Sequence, residues 1–268
     1  MKNFIENVQI SILKVVVDTL GQLSNGIKLA SKEGFTSGKM LDYIYKNEPG
    51  GEFFIGKIID KIYLNHPGWQ DVRNRKNNLV KNIEEAVNLT LENNDSARIC
   101  DIASGPARYI IDILTKFKGK PVSAELRDLD IRWLLEAKDK ALANSVDVDY
   151  KVADALKEED FQFDKQPDIF VASGFYDWFD DRETVKKSMQ LIYNALAKGG
   201  YFVFSVQAGH FALSLTNKIF KDFNNHQLKM VTWDMDVINS ILKETGFSVI
   251  VMRSDDAGHY PVILAKKV

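Results

Sequence analysis

The chain has 268 residues, 45% of them hydrophobic, and a formal net charge of -2. That is enough apolar material for one large domain or a domain with an extension, and the charge balance argues against a nucleic-acid partner, which normally needs a basic excess. The single cysteine, Cys100, excludes an intrachain disulfide framework and a multi-cysteine metal site. No apolar run approaches the roughly 18–20 residues that span a bilayer. Lys2 is followed by neither an uninterrupted apolar core nor a small-residue cleavage site, so the expectation is a cytoplasmic protein without a membrane anchor.

Residues 1–95 read as helices. Ile5, Val8, Ile12, Val15, Val16, Thr19 and Leu20 recur at helical spacing. So do Met40 and Ile44, then Ile58, Ile59 and Ile62, and finally Leu79, Ile83, Val87 and Leu91. Breakers fall at Gly34, Gly38, Pro49-Gly50-Gly51 and Pro67-Gly68. The stripes are expected to pack on a core, and the whole segment to act as a cap or extension.

From residue 96 the rhythm changes. β-like runs appear at Arg98–Asp101, Val122–Leu126, Val148–Val152, Asp168–Ala172, Tyr201–Val206, Phe247–Met252 and Tyr260–Ala265. Amphipathic helices separate most of the first six. The link between the third and fourth runs is short and acidic and gives the weakest helical pattern. Alternation of this kind predicts an α/β fold, a doubly wound and mostly parallel sheet of seven strands. Only Arg253–His259 joins the last two runs, which is too short for a helical crossover. They are therefore expected to form an antiparallel hairpin, and one terminal strand is reversed. Pro261 fits the start of that strand but not its middle. The expected domains are 1–95, a helical extension, and 96–268, the sheet.

Ligands of such sheets sit at the carboxyl ends of the strands. There the first run ends in Asp101-Ile102-Ala103-Ser104-Gly105-Pro106-Ala107-Arg108-Tyr109, where small residues let the backbone pass close to a ligand and a helix N-terminus follows. Asp128, followed by Leu129, ends the second run, where an acid can accept hydrogen bonds from both hydroxyls of a ribose. Asp154, followed by Ala155, ends the third, where an acid and the next N–H can meet an adenine edge. Three acids in register behind three successive strands, beside a small-residue turn, carry far more weight than any one of them.

These residues resemble the class I S-adenosylmethionine-dependent methyltransferases over roughly residues 96–268. The resemblance implies that the first turn (Asp101, Ala103, Ser104, Gly105, Pro106 and Tyr109) wraps the methionine part of the cofactor. It also implies that Asp128 and Leu129 hold the ribose, Asp154 and Ala155 the adenine, and Ser173 and Gly174 the edge facing the transferred methyl group. The family's three first-turn glycines are here Ala103, Gly105 and Ala107, an exchange tolerable where φ stays negative. A nicotinamide dehydrogenase requires those glycines more strictly and ranks below. A narrower likeness, to bacterial methyltransferases sometimes fused to an α/β-hydrolase, rests on several stretches. They are Gly34-Phe35-Thr36-Ser37-Gly38, Leu41-Asp42-Tyr43-Ile44-Tyr45, Tyr63-Leu64-Asn65, Gly68-Trp69, Arg73-Asn74-Arg75-Lys76 and Ser173-Gly174-Phe175-Tyr176.

For catalysis two residues stand out. His210 follows the fifth run and has the pKa range of a general base for a hydroxyl acceptor, against the plainer reading of a loop histidine bonded to backbone. Tyr176 follows the fourth run and would orient an acceptor or merely pack. Cys100 lies inside a strand and reads as a buried apolar residue. His66, His226 and His259 show no metal-ligand spacing, and no metal is expected. Asp180-Asp181 and Asp255-Asp256 read as caps of helices and turns. Arg73, Arg75, Lys76 and Lys81 read as a solvated helix face, with an acidic ligand as the alternative. The expected reaction is methyl transfer to an oxygen or nitrogen of a small molecule. An RNA or protein acceptor, or cofactor binding without transfer, are the alternatives, and a homodimer stays open.

Overall fold

A computed structural model describes residues 14–222 and 224–268. The stripe positions Ile5, Val8 and Ile12 lie outside the described residues. The chain divides into two compact units, residues 1–73 with 210–230, and residues 74–209 with 231–268.

The first unit is helical. A helical stretch over 14–18 leads to a 3-10 turn at Leu20–Leu23, then α1 (Asn25–Glu33), α2 (Gly38–Lys46) and α3 (Phe53–Leu64). The start of α4 (Pro67–Leu91) and a short α8 (Leu213–Ile219) complete it. Serines open the first two helices. The Ser24 hydroxyl accepts from Ile27 N and the Ser37 hydroxyl from Met40 N, caps worth about 1 kcal/mol each. Phe35 ties the later segment in. Its ring stacks on Phe220 at 4.3 Å and lies tilted against Trp69 at 4.7 Å, and its N–H donates to Lys221 O.

Helix α3 departs from its periodicity. Met40 and Ile44 of α2 are buried as expected, but Ile58 and Ile62 are exposed, and the inward face of α3 is Gly56, Asp60 and Leu64. The cause is Asp60. Its carboxylate accepts from the Ser24 hydroxyl at 2.5 Å, Gly26 N at 2.7 Å, Gly50 N at 2.8 Å and the Tyr43 hydroxyl. A buried charge holds its place only when so paired, and four donors from four positions fix how the helix is rotated. Burial and the facing carboxylate together push the Tyr43 hydroxyl well above the usual phenol range. Gly56 completes the face, since a Cβ there would lie 2.4 Å from Leu23 O.

In the second unit the order is β1 (Ala97–Asp101), α5 (Arg108–Lys116), β2 (Val122–Asp128), α6 (Ile131–Ala143), β3 (Asp149–Val152), β4 (Ile169–Ala172), α7 (Arg182–Ala195), β5 (Tyr201–Ser205), α9 (Met235–Thr245), β6 (Phe247–Arg253) and β7 (Val262–Lys267). All seven strands join one sheet in the order β3-β2-β1-β4-β5-β7-β6. Six run in one direction, β1 to β5 pairing parallel, and β7 alone is reversed, antiparallel to both β5 and β6, as the short final connection requires. Pro261 sits just ahead of β7. The weak acidic link between β3 and β4 contains only a 3-10 turn, Glu158–Phe161.

Alternate residues of each strand feed two cores. On one face Ile99, Ile169, Val171, Val203 and Leu264 meet Ile110 and Leu114 of α5, with Leu79, Ile83 and Val87 of α4. On the other, Cys100, Phe170, Phe202, Phe204 and Ile263 meet Val185 and Met189 of α7 and Ile238 and Ile241 of α9. Cys100 is the buried apolar residue its position suggested, and burial raises its thiol pKa far above the ordinary range.

Candidate cofactor-binding site

The carboxyl ends of β1, β2 and β3 adjoin, and the backbone links them. Ser104 N donates to Arg127 O, Gly105 N to Asp128 Oδ2 at 2.8 Å, and Ala153 N to Asp128 O. The first-turn residues, Asp128 and Asp154 are thereby brought to one edge. Gly105 turns with φ +51, and a Cβ on it would meet no atom within 4 Å, so the turn leaves a cradle in front of its backbone. Ala103 keeps a negative φ, but Ala107 does not. At φ 48 and ψ 33 it is left-handed, which costs an alanine roughly 1–2 kcal/mol. Its methyl group, 2% exposed within the first core, returns about 0.8 kcal/mol of that. The condition attached to the alanine exchange therefore holds at 103 and fails at 107.

Both carboxylate oxygens of Asp101 are buried without a well-formed hydrogen bond. Burial raises its pKa to about 7, although the Tyr109 hydroxyl and Ala103 N–H pull the other way. Tyr109 packs its ring in the first core. Ser104 is buried, and its hydroxyl donates to Gly105 O, while Ala103 and Pro106 are half-buried. Asp128 is half-buried. Its second oxygen accepts from Asp130 N at 2.9 Å, and burial raises its pKa against these backbone donors. Each of its oxygens keeps lone-pair capacity for a further donor. Leu129 beside it is 69% exposed, an apolar side chain held out at the edge. Asp154 accepts from Leu156 N and lies 3.9 Å from Lys157 Nζ, and its N–H donates to Asp160 Oδ2, while Ala155 is buried. A buried carboxylate short of well-formed partners, an open cradle and two acids with spare acceptor capacity fit a polar nucleoside ligand with a cationic group.

Residues 2–267 match the model of the family described as "Putative methyltransferase". The chain belongs to that family. An Escherichia coli relative of unknown function, YnbC, is 29% identical over 263 residues, and this chain spans 44% of its length. Among solved structures, a Bordetella parapertussis protein described as a possible exported protein superposes with a TM-score of 0.69 at 15% identity, over 86% of this chain and 79% of the other. The magnesium protoporphyrin IX methyltransferase of Synechocystis, solved with bound S-adenosylhomocysteine, gives 0.56 at 14% identity, over 88% and 98%. At such identities the likeness is one of fold.

Not every candidate of this methyltransferase-family chain lies where the sequence reading put it. Tyr176 is fully buried in the second core, its hydroxyl 3.3 Å from Ser188 Oγ and its ring edge-on to Phe204. Desolvation raises its pKa well beyond the usual phenol range. Its burial supports the packing reading of this residue. His210 belongs by packing to the helical unit, and its Nδ1 accepts from Ala212 N at 3.0 Å. With that lone pair engaged, a neutral ring carries its proton on Nε2. This is the backbone-bonded loop histidine, a poor arrangement for a base.

Around Ser173 and Gly174 the β4 edge gathers Asp177, Gln207 and Tyr260, to which the sequence motifs give no role. Gly174, at φ +69, donates its N–H to Ser205 Oγ at 2.9 Å, with Ser173 half-buried beside it. A Cβ on Gly174 would lie 3.3 Å from Arg75 Nη1. Arg75 is not on a solvated face. It is 7% exposed, paired with Asp177 at 3.2 Å, and lies over the Tyr260 ring. Burial raises the Asp177 pKa to about 6, and Arg75 limits the rise. The signal was in the sequence, because Arg75 is in phase with Leu79, Ile83 and Val87, and a charge on an apolar stripe must be buried and paired. Gln207 closes the network, accepting from the Tyr260 hydroxyl and from Trp233 N and donating to Val231 O. Lys76 pairs with Asp112 and Arg73 donates to Leu64 O. Asp181 caps α7, and Asp255 accepts from the backbone of 257, 259 and 260.

Proposed function

We propose that the chain transfers the methyl group of S-adenosylmethionine to an oxygen or nitrogen of a small molecule. The observation that carries the reading is the coupled edge of Gly105, Asp128 and Asp154 in front of an open first turn. Bound there, the cofactor would supply a methyl group already activated by a sulfonium. Asp128 would take the ribose hydroxyls, with Leu129 covering the sugar. Asp154 and the Ala155 N–H would read the adenine edge, and Asp101, Ala103, Ser104, Pro106 and Tyr109 would form the wall for the amino-acid part. Ser173 and Gly174 would close the side toward the acceptor, where positioning and exclusion of water supply much of the rate. The acceptor named for the Synechocystis neighbour is a small molecule, which supports that class here.

Calorimetry with S-adenosylhomocysteine tests the assignment. The chain should bind it, and Asp128→Ala should weaken binding by about 1.5–3 kcal/mol, the range for a lost hydrogen-bonded charge. Asp128→Asn, which keeps one acceptor, should lose less. Tight binding of NADH with no response to S-adenosylhomocysteine would overturn the cofactor.

A further inference from the structure

Helix α3 turns its charge inward and its hydrocarbon outward. Asp60 is sealed among four donors, whereas Phe53, Phe54, Ile55, Ile58 and Ile62 stand between 44% and 83% exposed. Rotating the helix to bury them would break the Asp60 bonds and drive a side chain into Leu23 O, which only Gly56 can approach. The exposure is therefore built into the sequence, and a contiguous exposed apolar face of this size marks an interaction surface.

The charges on the same helix narrow the partner. Its exposed polar residues are Lys57 and Lys61, and its one acid is the buried Asp60. Glu52, just before the helix, is paired with Lys28 at 2.8 Å. We propose that the exposed face of α3 docks on an anionic phospholipid surface, with the Phe and Ile side chains entering the headgroup boundary and Lys57 and Lys61 meeting lipid phosphates. Aromatic and aliphatic residues on one side, with lysines alongside, are what an interfacial helix requires. A second copy of the chain fits less well. A two-fold contact through this face sets lysines against lysines with no acid on the helix to pair them. No helix among the described residues is long and apolar enough to cross a membrane. The inference does not depend on the cofactor assignment.

Flotation of the full chain with phosphatidylglycerol–phosphatidylcholine vesicles, and with phosphatidylcholine alone, tests it. The chain should float with the anionic vesicles at low salt and much less at high salt. Lys57→Gln with Lys61→Gln should weaken anionic partitioning roughly 30-fold, at about 1 kcal/mol per lysine. Phe54→Ser with Ile58→Ser should lower it roughly 100-fold. All four positions are exposed, and far-UV circular dichroism with the urea midpoint reports the fold of each variant. Should the serine pair misfold, the glutamine pair alone decides the question. No flotation of the wild-type chain, or flotation that a folded variant leaves unchanged, overturns the proposal. So does a dimer in sedimentation equilibrium that the serine pair dissociates while vesicles are ignored.

Discussion

Glu125→Ala should destabilise the chain by about 3–5 kcal/mol, a large part of the 5–15 kcal/mol that holds a typical domain together. Glu125 sits mid-strand in β2 with its carboxylate between two guanidinium groups, Arg127 Nε at 2.5 Å and Arg98 Nη2 at 3.1 Å. Arg127 is 4% exposed and lies 3.7 Å from the Phe163 ring centroid. Truncating the acid strands that cation where water cannot reach it. Urea unfolding at unchanged m value measures the loss. Glu125→Leu combined with Arg127→Met, which removes both charges, should recover most of it. A loss below about 1 kcal/mol would mean that the pair is screened like a surface bridge. The variant should also weaken cofactor binding. Arg127 O receives the Ser104 N–H, Arg127 also bonds Asp160 O, and Asp160 Oδ2 receives the Asp154 N–H. One buried pair thus steadies both the first turn and the end of β3.

The second large effect is a pH dependence that Asp101→Asn removes. Asp101 is fully buried, and its pKa rises from the ordinary 3.8 to about 7. A raised carboxyl pKa means that the folded state holds the proton more tightly. The stability linked to this group is complete below about pH 4 and is lost as pH climbs through 7. A shift of that size corresponds to about 4 kcal/mol over the window. Asparagine is neutral throughout. The variant should therefore match the wild type near pH 4 and exceed it in stability by up to about 4 kcal/mol at pH 8, as read from urea midpoints. A cationic group bound in the first turn favours the ionised carboxylate. S-adenosylhomocysteine, through its amino group, should bind the wild type more tightly at pH 8 than at pH 6, and Asp101→Asn should flatten that slope. Parallel stability profiles for the two proteins would remove Asp101 as the buried charge that matters.

The sheet was legible because its strands alternate large apolar residues on two covered faces, and because seven residues cannot cross between parallel strands. The coupled acids were legible for a related reason, since Asp101 and Asp128 end strands and Asp154 stands two residues beyond β3. Single-helix periodicity failed where one polar residue outweighed several apolar ones. Asp60 sets the rotation of α3, so Ile58 and Ile62 follow the charge instead of the hydrocarbon. Arg75 shows the converse, a cation drawn into an apolar stripe by Asp177, about a hundred residues away. Tyr176 and His210 each follow a strand, and neither hydroxyl orientation nor ring tautomer can be read from that place. The left-handed turn at Ala107 was likewise hidden, because alanine gives no warning of a positive φ.

The helical unit takes in residues 210–230 as well as the first 73. During synthesis its first portion leaves the ribosome long before Phe220, the ring on which Phe35 stacks. That portion must wait, incompletely packed, while about 140 further residues are made, and most of the sheet is available to fold in the interval. The order of assembly is thereby written into the connectivity. A fragment ending at residue 95 should behave as a loose helical chain, and a fragment starting at 96 should carry residues 210–230, α8 included, without the rest of their unit to pack on. Limited proteolysis of a ribosome-released length series would show protection of the helical segment appearing only after residue 230 has emerged.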